Sequence, residues 1–206
     1  MAAASSALSA PIHPDIDPHI DPHIHAREME PAPVPAPNQP RSAHLQASAQ
    51  DRDAVAALLG RPPMAAFRVA ARDHNGAPVV IENAPLLDDG TPMPTRFWLV
   101  GARERVLVGR LEAAGGVNRA EAEIGPETLA QLHRDHAQER DRLLPADHHG
   151  PRPFGGVGGT RQGVKCLHAH YANYLAGCED PVGRWVHHQL AAVAPAGDAK
   201  DEPGRD

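Results

Sequence analysis

The distribution of proline divides this chain near residue 50. Nine of its 22 prolines lie before residue 41, and a proline supplies no backbone N–H group to a helix or a sheet. The same stretch contains few large apolar side chains that a core would bury. We therefore expect residues 1–48 to be a disordered tail rich in proline and histidine, residues 49–194 to form one globular domain, and residues 195–206 to be a second disordered tail.

Charge and composition argue against several classes of protein. The net charge is −6 and no basic tract is present, so binding to nucleic acid is not expected. No apolar run approaches the roughly 18 residues of a membrane span, and the first residues, MAAASSALSAP, lack the charged and leucine-rich regions of a signal peptide. A chain with only two cysteines and no export signal is typical of the reducing cytoplasm.

Hydrophobic patterning predicts three strands and a larger number of helices. FRVAA and PVVIEN, joined by the turn sequence DHNG, are predicted to form a hairpin, and RFWLV is a third strand. Helical spacing is present in DRDAVAALLG, where Asp51 is expected to cap the helix, around residues 106–111, and in PETLAQLHRDHAQERDRLL, which begins at Pro126. A short helix over residues 119–124, a helix from near Gly163 and a last helix, PVGRWVHHQLAA, complete the pattern. The predicted fold class is α+β, with a small three-stranded antiparallel sheet covered by about five helices.

The segment FGGVGGTRQGVK is the first candidate for a ligand site. Its glycines permit positive φ angles and let backbone N–H groups converge on an anion. The helix that follows begins with unpaired N–H groups that attract negative charge. We predict that a phosphorylated or otherwise anionic small ligand binds here, at Gly155, Gly156, Gly158, Gly159, Thr160, Arg161, Gly163 and Lys165. The alternative is that the loop needs glycine only for tight packing.

The segment KCLHAHYA places a thiol and two imidazoles directly after that loop. On a helix, Cys166 and His170 share one face, and this i, i+4 spacing suits two ligands of a divalent metal such as zinc. In the first turn beside Lys165, the Cys166 thiol is also expected to have a lowered pKa. Cys166, His168 and His170 are therefore candidate catalytic residues, with His170 as acid or base. A buried structural cluster is the third interpretation.

Between residues 51 and 190 the chain contains RPPMAAFRVAAR, LLDDGTPMPTRFWLV, RLEAAGG, GGVGGTRQGVKCLHAHYANYLAG and DPVGRWV. This set resembles an actinobacterial domain-of-unknown-function family, number 501, and GVKCLHAHYA is its most specific part. The resemblance implies a bacterial, cytoplasmic, single-domain protein that is encoded near enolase, a septum-formation initiator and an exopolyphosphatase. That neighbourhood suggests a partner protein linked to cell division, and the family implies no established activity.

The resemblance also implies cysteines after the first and third strands, where this chain reads ARDHNG and WLVGAR. If those thiols form a metal site in relatives, part of that site is missing here, and Asp73 or His74 is the candidate substitute.

Two functions from different classes follow from these observations. The first hypothesis is a small-ligand domain, in which a bound phosphate ester or acyl group undergoes proton transfer or nucleophilic attack. The second is a protein-interaction module for the division or envelope machinery, which predicts an exposed apolar patch near Val157 and Tyr174. The histidines of the long fourth helix, His133 and His136, are expected to be solvated or hydrogen-bonded to a neighbour.

Overall fold

The computed structural model of the chain describes residues 46–93 and 95–193. The disordered tails predicted for residues 1–48 and 195–206 lie outside this part of the chain, apart from residues 46–48. Gln46 forms a parallel bridge with Phe67, and the Ser48 side chain accepts a hydrogen bond from Asp51 N at 3.1 Å. Ser48 therefore caps the first helix, α1 (Ala49–Leu59), and the prediction that Asp51 is the cap is wrong, since Asp51 lies in the first turn.

Three antiparallel strands form the predicted sheet, with β2 in the middle. They are β1 (Phe67–Arg72), β2 (Pro78–Asn83) and β3 (Phe97–Leu99). The β1–β2 hairpin turns at Gly76, which takes a φ of +81°. The Asp73 carboxylate stabilises the turn because it accepts hydrogen bonds from the backbone N–H groups of Asn75 and Ala77.

Each face of the sheet buries its own apolar cluster. The α1 helix packs on β2, and its Val55 lies with Phe67 and Ile81 in the smaller cluster. The larger cluster contains Val80 and Leu99 together with side chains of the remaining helices. Because both clusters require it, β2 is buried along its whole length.

The described chain continues with five further α-helices. They are α2 (Ala102–Ala113), α3 (Gly116–Ile124), α4 (Pro126–Asp141), α5 (Leu167–Leu175) and α6 (Pro181–Val193). The α5 helix begins four residues later than predicted, because Gly163 takes a φ of +62° and Cys166 is extended. The α+β class and the three-stranded antiparallel sheet are confirmed.

The α5 helix occupies the position that joins these parts. It packs against β3, α2 and α6, and against a 3-10 turn (Val157–Gly159) in the glycine-rich loop. Residues that α5 turns inward therefore meet side chains from most of the fold. Among the described residues, no helix has both the length and the apolar character needed to cross a membrane.

Candidate functional site

A buried arginine holds the glycine-rich loop from the inside. Arg140 lies in the last turn of α4 and is 2% exposed. Its Nη1 donates to the carbonyl oxygens of Phe154 and Gly155, at 3.3 and 2.7 Å, and its Nη2 donates to Pro153 O at 3.0 Å. Asp141 pairs with the same guanidinium at 2.8 Å. One side chain of α4 therefore holds three successive carbonyls of the loop, since the planar guanidinium presents several donors.

The next residues of the loop lie directly on α4. A Cβ added at Gly156 would overlap the Cα, Cβ and Nδ1 atoms of His133, so only glycine permits this approach. Val157 N donates to His133 Nδ1 at 3.2 Å, and His133 Nε2 lies 2.8 Å from Gly163 O. His133 therefore carries its proton on Nε2 and has both ring nitrogens paired. Burial lowers the pKa of His133 below its ordinary value of 6.5.

The sequence predicts that backbone amides of the loop converge on an anion. In the structure, two of these amides donate to carbonyl oxygens of the loop itself. Gly156 N donates to Thr160 O at 2.6 Å, and Gly159 N donates to Gly156 O at 2.9 Å. Among the predicted cations, Lys165 Nζ donates to Gly158 O at 3.3 Å. These three contacts and the 3-10 turn give the loop an internally bonded structure.

Two glutamates accept hydrogen bonds from backbone amides at the start of α5 and just before it. Glu121 Oε1 accepts a hydrogen bond from Val164 N at 2.6 Å, and Glu112 Oε1 accepts one from Leu167 N at 2.5 Å. A helix N-terminus favours negative charge, and here α2 and α3 supply it. Binding of an external anion at this point stays a prediction that depends on the exposed side chains of Arg161 and Lys165.

Cys166 lies just outside α5, not in its first turn as predicted. It is the N-cap residue, with an extended backbone. Burial raises the pKa of its thiol above the ordinary value of 9.0, against the opposing effect of the Ala169 backbone amide. The predicted lowering by Lys165 is present as a weaker effect and does not decide the direction. The expectation of an activated thiolate is therefore wrong.

His168 faces away from the remaining histidines of the site. Its Nε2 lies 3.1 Å from Arg105 O, and its Nδ1 lies 3.2 Å from Glu112 Oε1. Both contacts are to α2, and the side chain is partly exposed. Of the three residues predicted to be catalytic, the structure thus places His170 in the interior and His168 at the α2–α5 surface.

His170 belongs to a buried hydrogen-bonded chain of four side chains, which we call the buried relay: His136, Asn173, Asp180 and His170. Asp180, at the residue before α6, is fully buried. Its carboxylate lies 3.0 and 3.2 Å from His170 Nδ1, and accepts from Asn173 Nδ2 at 3.0 Å and from Gly183 N at 2.9 Å. A carboxylate only accepts hydrogen bonds, so His170 carries a proton on Nδ1.

The same carboxylate orients the far end of the relay. Because Asn173 turns its Nδ2 toward Asp180, its Oδ1 faces His136 Nδ1 at 3.2 Å. An amide oxygen only accepts, so His136 also carries its proton on Nδ1. The Nε2 atoms of His136 and His170 are both buried and have no hydrogen-bond partner. One aspartate therefore fixes the tautomer of two histidines and leaves a free ring nitrogen at each end.

The charges around His136 keep it neutral. Burial and the positive charges of Arg96 and Arg140 lower the pKa of His136 from 6.5 to about 4. Arg96 donates from Nε to Glu82 Oε1 at 2.6 Å, and the Phe97 ring meets the His136 ring edge-on with centroids 6.5 Å apart. At pH 7 the unpaired Nε2 of His136 consequently carries a lone pair and no proton.

Sequence reasoning missed three members of the buried relay. His133 and His136 were expected to be solvated or hydrogen-bonded to a neighbour, and the second alternative is the one found, since each bonds a neighbour and they are only 4% and 6% exposed. The indication was present in α4, where the buried residues follow helical spacing: Leu129, Leu132, His133, His136 and Arg140. Asp180 gave no comparable indication, because an aspartate before a proline is typical of any helix start.

A metal site and an exposed docking patch were also predicted from the sequence. No group of three or more His, Cys, Asp or Glu side chains within residues 46–93 and 95–193 is arranged to hold a metal ion. Val157, which was expected in an exposed docking patch, is 1% exposed. The large apolar side chains that are exposed in this part of the chain are Met64, Val106 and Phe154.

Comparison with known proteins gives one match. A family model described as "Protein of unknown function (DUF501)" matches residues 69–188, a range that contains all four residues of the buried relay. No curated protein and no solved structure matches the chain.

Proposed function

We propose, for a chain that belongs to the DUF501 family of proteins of unknown function, that it is a small-ligand domain in which His170 transfers a proton to or from the bound ligand. The observation that carries this proposal is the difference between the two ring nitrogens of His170. Nδ1 of His170 is held by the Asp180 carboxylate, and Nε2 is buried without a partner.

A histidine in this arrangement is suited to acid–base chemistry. The carboxylate fixes the tautomer that exposes a lone pair at Nε2. When Nε2 takes a proton, the adjacent negative charge of Asp180 stabilises the imidazolium that forms. A buried polar atom without a hydrogen bond costs about 1–3 kcal/mol, so a ligand group that pairs with Nε2 recovers that free energy on binding.

The glycine-rich loop has a structural part in this proposal. His133, which bonds the loop at Val157 and Gly163, lies beside His170 with ring centroids 6.0 Å apart. The loop is therefore linked to His170 through His133, and the contacts at Arg140 and Gly156 hold the loop against α4. Both described cysteines are free thiols, which agrees with the cytoplasmic location that we also propose.

The test is native mass spectrometry of the full chain after incubation with the small-molecule fraction of a bacterial lysate. We expect a retained mass in the wild-type protein that is lost in His170→Gln. His168→Gln is the matched control, since His168 lies in the same helix and both of its ring nitrogens lie against polar atoms of α2. A mass retained equally by both variants, or no retained mass in the wild type, contradicts the proposal. A melting curve of each variant checks that it is folded.

A second candidate is the anionic ligand at the front of the glycine-rich loop. Arg161 and Lys165 are exposed there, and Arg161 lies over the Phe154 ring at 5.4 Å. Native mass spectrometry with inorganic phosphate, which is an anion without an organic group, distinguishes a ligand site at the loop from one at the buried relay. Phosphate binding that is lost in Arg161→Ala and kept in His170→Gln places the ligand at the loop, and the reverse places it at the relay.

A further inference from the structure

We infer that residues 157–163 of the glycine-rich loop, which we call the strap, are a pH-sensitive element that protonation of His133 releases from α4. The His133 ring binds both ends of the strap: Val157 N donates to Nδ1 at 3.2 Å, and Nε2 donates to Gly163 O at 2.8 Å. No ligand is needed, because every group that holds or releases the strap belongs to the chain.

Only the neutral ring of His133 makes both of these hydrogen bonds. Nδ1 accepts from Val157 while it bears a lone pair, whereas an imidazolium has a proton on each nitrogen and only donates. Protonation therefore sets the N–H group of Val157 against an N–H group of the ring. The bond between them is buried, and a buried donor without an acceptor destabilises the arrangement that contains it. The closed strap consequently loses stability when His133 takes up a proton.

The other contacts divide the loop into a fixed part and a part that can move. Arg140 holds the carbonyls of residues 153–155 and keeps its charge throughout the physiological pH range. The backbone is bonded internally between residues 156 and 160, so this part moves as a unit. Gly155 and Gly163 flank it with φ angles of +72° and +62°, and glycine changes its backbone angles with the least steric hindrance.

The groups around His133 set the direction of the pH dependence. Burial lowers the pKa of His133 below 6.5 and the charge of His170 acts in the same direction, against the Gly163 carbonyl and Asp180. The other charged or titratable side chains on α4, on α3 and beside the strap are His136, Arg140, Glu121 and Lys165. In the released strap the ring regains its ordinary pKa. The closed strap is therefore favoured fully above about pH 6.5 and loses stability as the pH falls below that value.

The Val157 side chain keeps the strap closed at neutral pH, because it is 1% exposed and lies in the larger apolar cluster. Between pH 7.5 and pH 5.5 the ratio of released to closed strap should rise by up to about tenfold, the increase expected when only the released form binds the proton.

The experiment is amide hydrogen exchange of the full chain, measured by NMR at pH 7.5, 6.5 and 5.5. The protection factor of the Val157 amide compares its exchange rate with that of an unstructured chain at the same pH, so it reports opening of the strap. The Val100 amide, which donates to Val79 O at 2.8 Å, reports unfolding of the whole domain. His133→Gln removes the titrating ring, and His168→Gln is the matched control at the α2–α5 surface.

We expect the protection factor of Val157 to fall by about three- to tenfold more than that of Val100 between pH 7.5 and pH 5.5, in the wild type and in His168→Gln. In His133→Gln the two amides should change in parallel. A parallel change in the wild type overturns the inference, because the strap then opens only with the whole domain. A selective fall at Val157 that persists in His133→Gln also overturns it, because another group then takes up the proton.

A second measurement applies if His133→Gln does not fold. The scalar coupling across the hydrogen bond between Val157 N and His133 Nδ1 is present only while that bond is intact. Its loss by pH 5.5 in a wild-type chain that keeps the Val100 amide protected supports release of the strap. Its persistence at pH 5.5 overturns the inference.

Discussion

Asp180 is the residue on which the orientation of the buried relay depends. Its two oxygens accept from His170, Asn173 and Gly183, and it has no exposure to solvent. Replacement with alanine leaves three buried donors without an acceptor, and each unpaired group costs about 1–3 kcal/mol. The Asp180 carboxylate thus holds three groups at once: the backbone N–H of Gly183 in the first turn of α6, the side-chain amide of Asn173 and the imidazole of His170.

We predict that Asp180→Ala lowers the free energy of unfolding by about 3–5 kcal/mol in urea denaturation. Glu179→Ala is the control at the neighbouring position, where an exposed carboxylate pairs with the exposed Arg184, and a change within about 0.5 kcal/mol is expected there. Similar losses in the two variants would show that Asp180 is not the organising group.

His136 gives the protein a dependence on pH whose sign follows from its burial. Its pKa is about 4 in the folded chain, against an ordinary value of 6.5, so the unfolded chain binds the proton more readily. The contribution to stability is complete above pH 6.5, falls as the pH drops toward 4, and changes no further below that. The full difference is worth about 3 kcal/mol, and the lowered pKa of His133 acts in the same direction.

Urea denaturation from pH 7.5 to pH 4.5 tests this prediction against His136→Gln, which has no proton to bind at that position. The wild type should lose stability more steeply than the variant across this range, whatever the absolute stability of the variant. Parallel curves for the two proteins would mean that His136 does not titrate as its burial implies.

At the scale of elements, local patterns predicted the secondary structure well. The Asn75–Gly76 turn marks the hairpin, and Pro126 marks the start of α4, because both depend on the backbone preferences of one or two residues. The buried relay depends instead on side chains that meet only after α4, α5 and α6 have packed. Asp180 pairs with residues seven and ten positions earlier, and no local pattern specifies that pairing.

The contact between the glycine-rich loop and α4 predicts the effect of one methyl group. Gly156→Ala places a Cβ against backbone and side-chain atoms of His133, so the loop must move away from α4, at a cost of about 1–3 kcal/mol. Gly109→Ala, within α2, meets nothing within 4 Å and should stabilise the protein by up to about 1 kcal/mol. Thermal melts of the two variants measure both effects, and a neutral Gly156→Ala would contradict the close approach.

At the scale of the whole molecule, stability depends on covering both faces of one small sheet. The family match begins at residue 69, yet the smaller apolar cluster needs α1, which precedes it and supplies the fully buried Val55. The prediction of helices covering the sheet was correct. Which helix covers which face was not specified, because Val79, Val80 and Ile81 are apolar in succession, and this run in β2 does not distinguish its two sides.

We therefore predict that α1 is part of the cooperative folding unit although it lies outside the matched range. Val55→Ala should lower the free energy of unfolding by about 2 kcal/mol, since it removes two buried methyl groups and leaves a cavity beside Phe67 and Ile81. Val106→Ala, at a valine that is 54% exposed, should change it by less than about 0.5 kcal/mol. Deletion of residues 1–60 should lower the melting temperature further than Val55→Ala does, because it exposes the whole face. If the shortened chain melts at the wild-type temperature, α1 is an appendage, and the sheet is stable with one face uncovered.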